Sequence, residues 1–486
     1  MPTARSILSR LLPALLLCLS MWGASAAAPS PKPNVVFILA DDMRPDAIRV
    51  LGNKEILTPN LDELVNRGTA FTRAHIMGST VGAVCMPSRA MLMTGKHLFR
   101  FEPKQLGAIG TNHVFLPAIF REAGYRDYMV GKWHNGGKAL SAAFSDGTNL
   151  FLGGMGDHFK VPVQSYDPDG LYPAARATVM EGHSTDVFAS AAKEFIARQD
   201  GSKPFFLYLP FTAPHDPRQA PDAYERMYST NNVSPPRNFR REHPFNNGEM
   251  LVRDEQLLPW PRTVEAVREE TARYYSMITH LDARIGDLVA LLKEKGLLEN
   301  TIIVFAADNG LALGSHGLLG KQNLYEHSVG VPLIAAGPGI KAGQRSDALV
   351  YLHDLNPTLC ELAGLKPAAG MDARSFAGVL TGATNKHRDE LFFAYGNVQR
   401  GITDGRFKLI RYTQINKTQI FDLPDDKLEQ KDMVTSPEGA SVLFRLTPRL
   451  QELQAELGDK LPYTTSTPAP LNIPLIRDEP KGSGKK

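Results

Sequence analysis

Asn34-Val-Val-Phe-Ile-Leu-Ala40 is an unbroken apolar run closed by Asp41-Asp42. A strand with one wet face alternates apolar and polar residues, whereas one covered on both faces does not. The run therefore predicts a buried parallel strand inside an α/β sheet. The unit recurs along the chain. Residues 125–130 read as a strand ending in Gly131-Lys132-Trp133-His134, 205–211 as one ending in Thr212-Ala213-Pro214-His215, and 301–306 as one ending at Asp308-Asn309-Gly310. Residues 69–75 and 331–335 are further strand candidates. Helical patterns fall between them. Thr58 is a candidate N-cap before Pro59, Leu61, Leu64 and Val65 share a face, and Gly68 stops the helix. Residues 87–94 end at Gly95, 187–198 form another helix, and 264–295 carry Tyr274, Ile278, Leu281, Ile285, Leu288 and Leu292 at three- and four-residue spacing. This alternation predicts an α/β fold with a large, mostly parallel central sheet sandwiched by helices.

After about residue 365 the texture changes. Short strand candidates at 391–395, 400–403, 407–412 and 418–423 are separated by turn residues such as Asp404-Gly405, and a helix is expected near 441–457. Residues 366–463 thus read as a small antiparallel sheet packed with one helix. Residues 464–486 are expected to be a disordered tail, because their end is rich in Pro, Lys and Gly. The length of 486 residues suits one large domain plus this smaller one.

The N-terminus reads as a signal peptide spanning 1–26. Arg5 and Arg10 precede a short apolar core at 11–22, and Ala24-Ser25-Ala26 is a small-residue cleavage site. The core is too short to span a bilayer comfortably, and no later stretch is long and apolar enough to do so. Cys18 follows the bulky Leu17, unlike a lipoprotein site, so full cleavage is expected. The protein is expected to be exported: periplasmic or secreted in a bacterium, secretory or lysosomal in a eukaryote. The net charge is +3, and removing the two leader arginines leaves the remainder at +1. A nearly neutral body gives no electrostatic support for nucleic-acid binding. With 43% hydrophobic and 22% charged residues the chain is neither disordered nor collagenous. Beyond the leader only Cys85 and Cys360 remain, too few for a disulfide framework. Cys360, among Leu355, Leu359 and Leu362, reads as a core thiol. Cys85 lies in a polar-flanked Gly/Pro context and needs another explanation.

Charged and polar residues gather just past the strand ends, where open α/β sheets bind ligands: Asp41-Asp42, Lys132 and His134, His215, and Asp308-Asn309. One such Asp is as readily a helix cap; four clusters in one chain point to a site. Three carboxylates and an amide form an all-oxygen set suited to Ca2+ or Mg2+ rather than zinc. Lys132 and His134 are two apart, so an extended backbone points them the same way.

Cys85-Met86-Pro87-Ser88-Arg89, followed by Thr94-Gly95, matches the signature Cys-x-Pro-Ser-Arg…Thr-Gly of the type I sulfatases. The chain resembles these formylglycine-dependent members of the alkaline phosphatase superfamily along nearly its whole mature length. Thr58 to Asp62, Gly131 to His134, Ala213-Pro214-His215, Ala307 to Gly310 and Gly317 to Lys321 fall in the family's order. The resemblance implies that residues 33–365 are a sulfatase catalytic domain of alkaline phosphatase-like fold that hydrolyses sulfate esters. It implies that a formylglycine-generating maturation enzyme oxidises Cys85 to 3-oxoalanine (Cα-formylglycine). One hydroxyl of the hydrated aldehyde would attack sulfur, and the other would allow sulfate to leave. It further implies one Ca2+ per chain, held by Asp41, Asp42, Asp308 and Asn309 with the side chain derived from Cys85. Arg89, one helical turn from Cys85, would hold the diol and the metal-side carboxylates. Lys132 would bind diol and sulfate, His134 would be the base for sulfate release, His215 would protonate the leaving oxygen, and Lys321 would bind a sulfate oxygen. His215, before Asp216-Pro217, also reads as a turn histidine, and Lys321 as a solvated loop lysine. His316 is unassigned. Asn135 departs from the family, where a hydrophobic residue is common.

Two other readings remain open. Phosphonate monoesters and phosphodiesters are tetrahedral monoanions like sulfate esters, so a phosphonate or phosphodiester hydrolase of the same superfamily fits the same residues. A non-catalytic glycan-binding protein with unmodified Cys85 is the alternative from another class. The substrate is expected to be a sulfated carbohydrate rather than a simple aryl sulfate. Residues 216–262 carry seven prolines and no clear periodicity, and follow directly on His215. A loop this long in a compact domain is often functional. Within it Arg237, Arg240, Arg241 and His243 cluster, and Arg240 and Arg241 are the expected substrate contacts. The same cluster reads equally well as a solvated surface.

Overall fold

The Asn34–Ala40 strand is flanked on both sides by parallel partners, Thr301–Ala307 and Phe205–Pro210, with Val35 to Leu39 paired across both. Every residue of the strand is buried, which is why its sequence shows no alternation. The computed structural model describes residues 32–472. The expected signal peptide lies outside the described residues, as does 473–486. Around this strand is an eight-stranded sheet. In spatial order its strands are Gln344–Ser346, Thr69–Phe71, Leu333–Ala336, Thr301–Ala307, Asn34–Ala40, Phe205–Pro210, Arg126–Lys132 and Gly147–Phe151. Leu333–Ala336 runs antiparallel to both neighbours, while the other adjacent pairs are parallel. The expected strand 69–75 is split. Thr69–Phe71 stays in the main sheet, and after Thr72 and Arg73 the chain turns, so that Ala74–His75 pairs with Val350–Tyr351.

The long helix Val264–Glu294 is capped by Thr263, whose side chain accepts from Ala266 N. It packs its apolar stripe against Pro59–Arg67 and Ser184–Ala197. Asp282 in its middle accepts from the backbone N–H groups of Asn60 and Leu61, tying the start of the Pro59–Arg67 helix to it. Ser184–Ala197 begins three residues earlier than the apolar pattern predicts, because the His183 ring caps it by accepting from Thr185 N.

The smaller sheet contains the four expected antiparallel strands, Leu391–Tyr395, Gln399–Thr403, Phe407–Tyr412 and Lys417–Asp422, covered by the helix Pro437–Leu457. It also takes a fifth strand from far upstream. Gly78–Ser79 runs parallel to Leu391–Tyr395, so this sheet draws on both sides of the expected boundary at 365. Gly78 has φ 107°, and a Cβ there would lie 1.9 Å from the Ala394 carbonyl oxygen, so only glycine fits. Residues 464–472 of the expected tail form no helix or strand but hydrogen-bond to the body of the protein. Asn416 Nδ2 donates to Thr465 O, Ala469 N to Gln414 O and Asn246 N to Leu471 O, each at 2.7–2.8 Å. These bonds join this segment to the loops at 414–416 and 246. Cys85 and Cys360 are both free and buried. Among the described residues no helix is long and apolar enough to cross a membrane.

Candidate active site

The four clusters read from sequence converge at the C-terminal ends of neighbouring parallel strands. Asp41 and Asp42 follow Asn34–Ala40, and Asp308 and Asn309 follow Thr301–Ala307. Lys132 ends Arg126–Lys132, and His215 lies just past Phe205–Pro210. Successive strand residues point to opposite faces. Asp42, however, adopts a left-handed φ of 67°, which turns its carboxylate into the same space as that of Asp41. Tyr274 Oη donates to the Asp42 carbonyl at 2.7 Å and secures this turn.

Cys85 opens the helix Cys85–Thr94, which starts two residues before the expected Pro87 and ends on left-handed Gly95. Cys85 Sγ lies 3.2 Å from His134 Nδ1 and 3.8 Å from Lys132 Nζ. One turn on, the fully buried Arg89 donates from Nε to Asp308 Oδ2 at 2.9 Å and from Nη1 to the Lys132 carbonyl at 2.6 Å, with Nη2 3.9 Å from Asp41 Oδ1. Lys132 Nζ is paired with Asp41 Oδ2. Lys321 Nζ donates to Asp42 Oδ1 at 2.6 Å. His215 Nε2 is 3.6 Å from Asp42 Oδ2, while its Nδ1 contacts the Asp216 carbonyl at 2.8 Å. The structure thus gathers Asp41, Asp42, Cys85, Arg89, Lys132, His134, His215, Asp308, Asn309 and Lys321 into one buried site. Neither His215 nor Lys321 is a solvated loop side chain: both are at most 5% exposed.

Burial raises the Cys85 thiol above its ordinary range, against the pull of Lys132 and Lys321. Burial, reinforced by Lys132 and Arg89, presses His134 down to about 2, so the ring is neutral and its lone pair is available. Burial and the nearby Asp41 push Asp308 up to about 6. Burial would also raise Asp42, but His215 and Lys321 outweigh it and hold the carboxyl well below the usual range.

The donor set fits a hard cation. Asp41 Oδ1 and Asn309 Oδ1 are buried oxygens without a hydrogen-bond partner, a costly state unless something else satisfies them. Ligand atoms of Asp41, Cys85 and Asp308 lie within 4.8 Å of one another, as do those of Asp41, Asp42 and His215. Asp42 N donates to Asp308 Oδ1 at 3.2 Å, and Asn309 Nδ2 donates to Asp42 Oδ1 at 2.8 Å. These bonds fix the acids and leave the Asn309 carbonyl oxygen free. Carboxylates and an amide oxygen are the ligands Ca2+ takes.

A cavity of about 450 Å3 opens above this floor. The loop 216–262 reaches it, as its position after His215 predicts, but through Val252, Arg253 and Asp254. Arg240 and Arg241 do not line it. Arg240 borders a separate cavity with Pro244, His316 and Lys417. Arg241 is exposed, and its carbonyl accepts from Arg262 N. The reason is that the basic run is pinned elsewhere: Phe239 pairs with Ser315, and His243 is buried against Phe245 O and Tyr325 Oη. Arg253, Asp254, Gln322 and Met155 also line the cleft but are not among the residues read from sequence. Only Gly154 carried a signal, in the run Gly153-Gly154-Met155-Gly156: a Cβ there would come within 2.6 Å of the His134 ring.

The profile of a family described as sulfatase matches residues 33–365, and one described as the C-terminal part of N-sulphoglucosamine sulphohydrolase matches 314–456. The chain is similar to the N-acetylglucosamine-6-O-sulfatase of Bacteroides thetaiotaomicron, at 26% identity over 94% of this chain and 92% of that protein. It is 30% identical to the N-acetylglucosamine-6-sulfatase of Capra hircus over 80% of this chain and 70% of that one. Among solved structures, a protein in complex with its substrate D-glucosamine-2-N,6-O-disulfate superimposes with a TM-score of 0.75 at 24% identity, covering 89% of this chain and 99% of that one. That likeness establishes the alkaline phosphatase-like fold.

Proposed function

The chain belongs to the sulfatase family and is an enzyme that hydrolyses sulfate esters; within that activity we propose that it works through a formylglycine made from Cys85 and one bound Ca2+, on a sulfated carbohydrate. The observation that carries this reading is the convergence on Cys85 of a buried arginine, a buried lysine and a neutral histidine beside an unsatisfied set of oxygens.

Asp41, Asp42, Asp308 and Asn309 are the residues that would hold the cation, together with the side chain at position 85. When bound, Ca2+ offsets charge on the sulfate, and formylglycine supplies, as its hydrate, one oxygen to attack sulfur and a second to let sulfate go. Arg89 orients Asp308 and fixes the Lys132 carbonyl, so the acids and Lys132 move as one unit. Lys132 and Lys321 bring two positive charges to the floor for the sulfate oxygens. His134 receives a proton at Nδ1, the atom facing residue 85. His215 donates from Nδ1 to the Asp216 carbonyl, so it must also carry a proton at Nε2, beside Asp42 Oδ2, and in that doubly protonated form Nε2 gives its proton to the leaving oxygen.

The carbohydrate assignment draws on those relatives that are named for sulfated N-acetylhexosamines; another is named an arylsulfatase. We also read the protein as exported and dependent on a formylglycine-generating enzyme. The test is mass spectrometry of the Cys85 peptide from a host with that enzyme, alongside rates on a sulfated N-acetylhexosamine, an aryl sulfate and an aryl phosphodiester. A lighter, aldehyde-bearing peptide and preference for the sulfated sugar are expected. An unmodified thiol in fully active protein overturns the mechanism, and faster phosphodiester turnover overturns the proposed substrate.

A further inference from the structure

The cleft has a floor built for one anion and a lip that no step of hydrolysis uses. The lip is formed by Val252, Arg253 and Asp254, with Gln322 beside them. Its charge differs from that of the floor. The guanidinium of Arg253 pairs with both Asp216 carboxylate oxygens and donates from Nη1 to Asp254 Oδ1 at 2.8 Å. Two carboxylates therefore face one arginine, so the lip carries no excess of positive charge. Asp254 is held from both sides. Oδ1 takes the Arg253 bond, and Oδ2 accepts from Gln322 Nε2 at 2.7 Å. Gln322 is itself locked: its Nε2 also donates to Gly82 O at 3.2 Å, and its Oε1 accepts from Lys321 N at 2.9 Å. The Asp254 side chain is 10% exposed and lines the cavity. A carboxylate has about four acceptor positions, and these bonds use two. A fixed, desolvated acceptor with open capacity beside a sugar-sized cavity is suited to neutral donors.

We propose that Asp254, oriented by Arg253 and Gln322, is a specificity determinant that accepts hydrogen bonds from ring hydroxyls of the sugar bearing the scissile sulfate. This deepens the carbohydrate reading above and rests on it. A desolvated polar group left unpaired is what makes such sites discriminate: an analogue lacking the hydroxyl strands the carboxylate.

The experiment compares the full-length enzyme with its Asp254→Ala and Asp254→Asn variants. Substrates are the sulfated N-acetylglucosamine methyl glycoside, the analogues lacking each remaining ring hydroxyl, and an aryl sulfate. Turnover of the aryl sulfate, which has no ring hydroxyls, reports that fold and floor are intact. The wild type is expected to lose about 10- to 100-fold in kcat/KM on at least one deoxygenated sugar, as for a hydrogen bond to a charged group. In Asp254→Ala that ratio should collapse toward one, because the hydroxyl and its acceptor act as one coupled pair. The proposal is overturned if the variant keeps the wild-type ratio, if the wild type is indifferent to every deoxygenation, or if aryl sulfate turnover falls as far as sugar turnover. A wild type that cleaves the aryl sulfate but no sugar overturns the carbohydrate reading itself, and this inference with it.

Discussion

His134 Nδ1 lies 3.2 Å from Cys85 Sγ, yet His134 reaches that position from left-handed backbone at φ 68°, two residues past its strand. The spacing of Lys132 and His134 predicts that an extended chain points both the same way. The chain instead kinks, with Gly131 at φ 111° and a register shift at Val130/Gly131, and the two side chains converge on Cys85 all the same. A non-glycine residue at positive φ costs of order 1 kcal/mol and persists only where its surroundings impose it. Gly154 leaves the room the imidazole occupies there, since a Cβ at that position would come within 2.6 Å of the ring.

Gly154→Ala should therefore damage catalysis with little effect on the fold. The backbone at Gly154 is not left-handed, so the penalty is spatial: the added methyl overlaps the ring by approaching to 2.6 Å of Cε1 and Nε2. Displacing a proton-transfer group by about 1 Å costs on the order of 100-fold in kcat. Steady-state kinetics with a thermal melt checks this, and wild-type kcat in the variant would show that His134 does not need this packing.

Cys85→Ala should be inactive, and Cys85→Ser should turn over at most once. Serine offers one oxygen, and sulfate release needs a second on the same carbon. Rapid-quench measurement of product per enzyme separates a single stoichiometric event from sustained turnover. Many turnovers by a Cys85→Ser variant whose introduced serine stays unoxidised by mass spectrometry would rule out this chemistry.

Asp308→Ala should lose bound calcium and activity together. Asp308 anchors both Arg89 and the Asp42 backbone, so its removal disturbs the whole oxygen set. A fall of at least about 100-fold is expected, as for other groups that hold or tune a catalytic metal. Elemental analysis should give one calcium per wild-type chain and none in the variant, and exhaustive chelation should reproduce the loss. Full activity after either treatment would remove the metal from the mechanism.

The fold was legible where burial on both faces leaves an unbroken apolar run, as at 34–40, 205–210 and 301–307. Asp41, Asp42, Lys132, His134, His215, Asp308 and Asn309 were legible because strand ends bring distant polar residues together whatever lies between, whereas Cys85, Arg89 and Lys321 were read through the resemblance to the sulfatases. The lip was not. The pairing of Asp216 with Arg253 and the Glu255 carboxylate, which accepts from Leu319 N and Gly320 N, shape the loop 216–262 through partners remote in sequence, and no periodicity records them. Composition showed that Arg240 and Arg241 cluster but not which way they face. Gly78–Ser79, at two residues, is too short for any pattern to register.

Stability should fall on acidification from about pH 6.5 to about pH 4, apart from any effect on catalysis. His243 is buried, with Nδ1 2.6 Å from Phe245 O and Nε2 3.1 Å from Tyr325 Oη, and burial pushes it down to about 4. His158 is likewise pushed down to about 4 by burial, and spans Ser184 Oγ and the His215 carbonyl. In the unfolded chain each returns to about 6.5. Between the two values the unfolded state binds more protons, so stability rises with pH across that window. The contribution is complete above about 6.5 and is lost as pH falls toward about 4, at up to about 1.4 kcal/mol per pH unit for each histidine. Denaturant titrations across the window should show this slope. His243→Asn, whose side-chain amide can replace the Nδ1 donor to Phe245 O, should be less stable near neutrality but should show a slope shallower by about one histidine. An unchanged slope in the variant would mean that His243 is not titrating in the unfolding equilibrium, and the acid sensitivity would then have to come from the other buried histidines, such as His158, His183, His316 and His353, whose rings burial also pushes down.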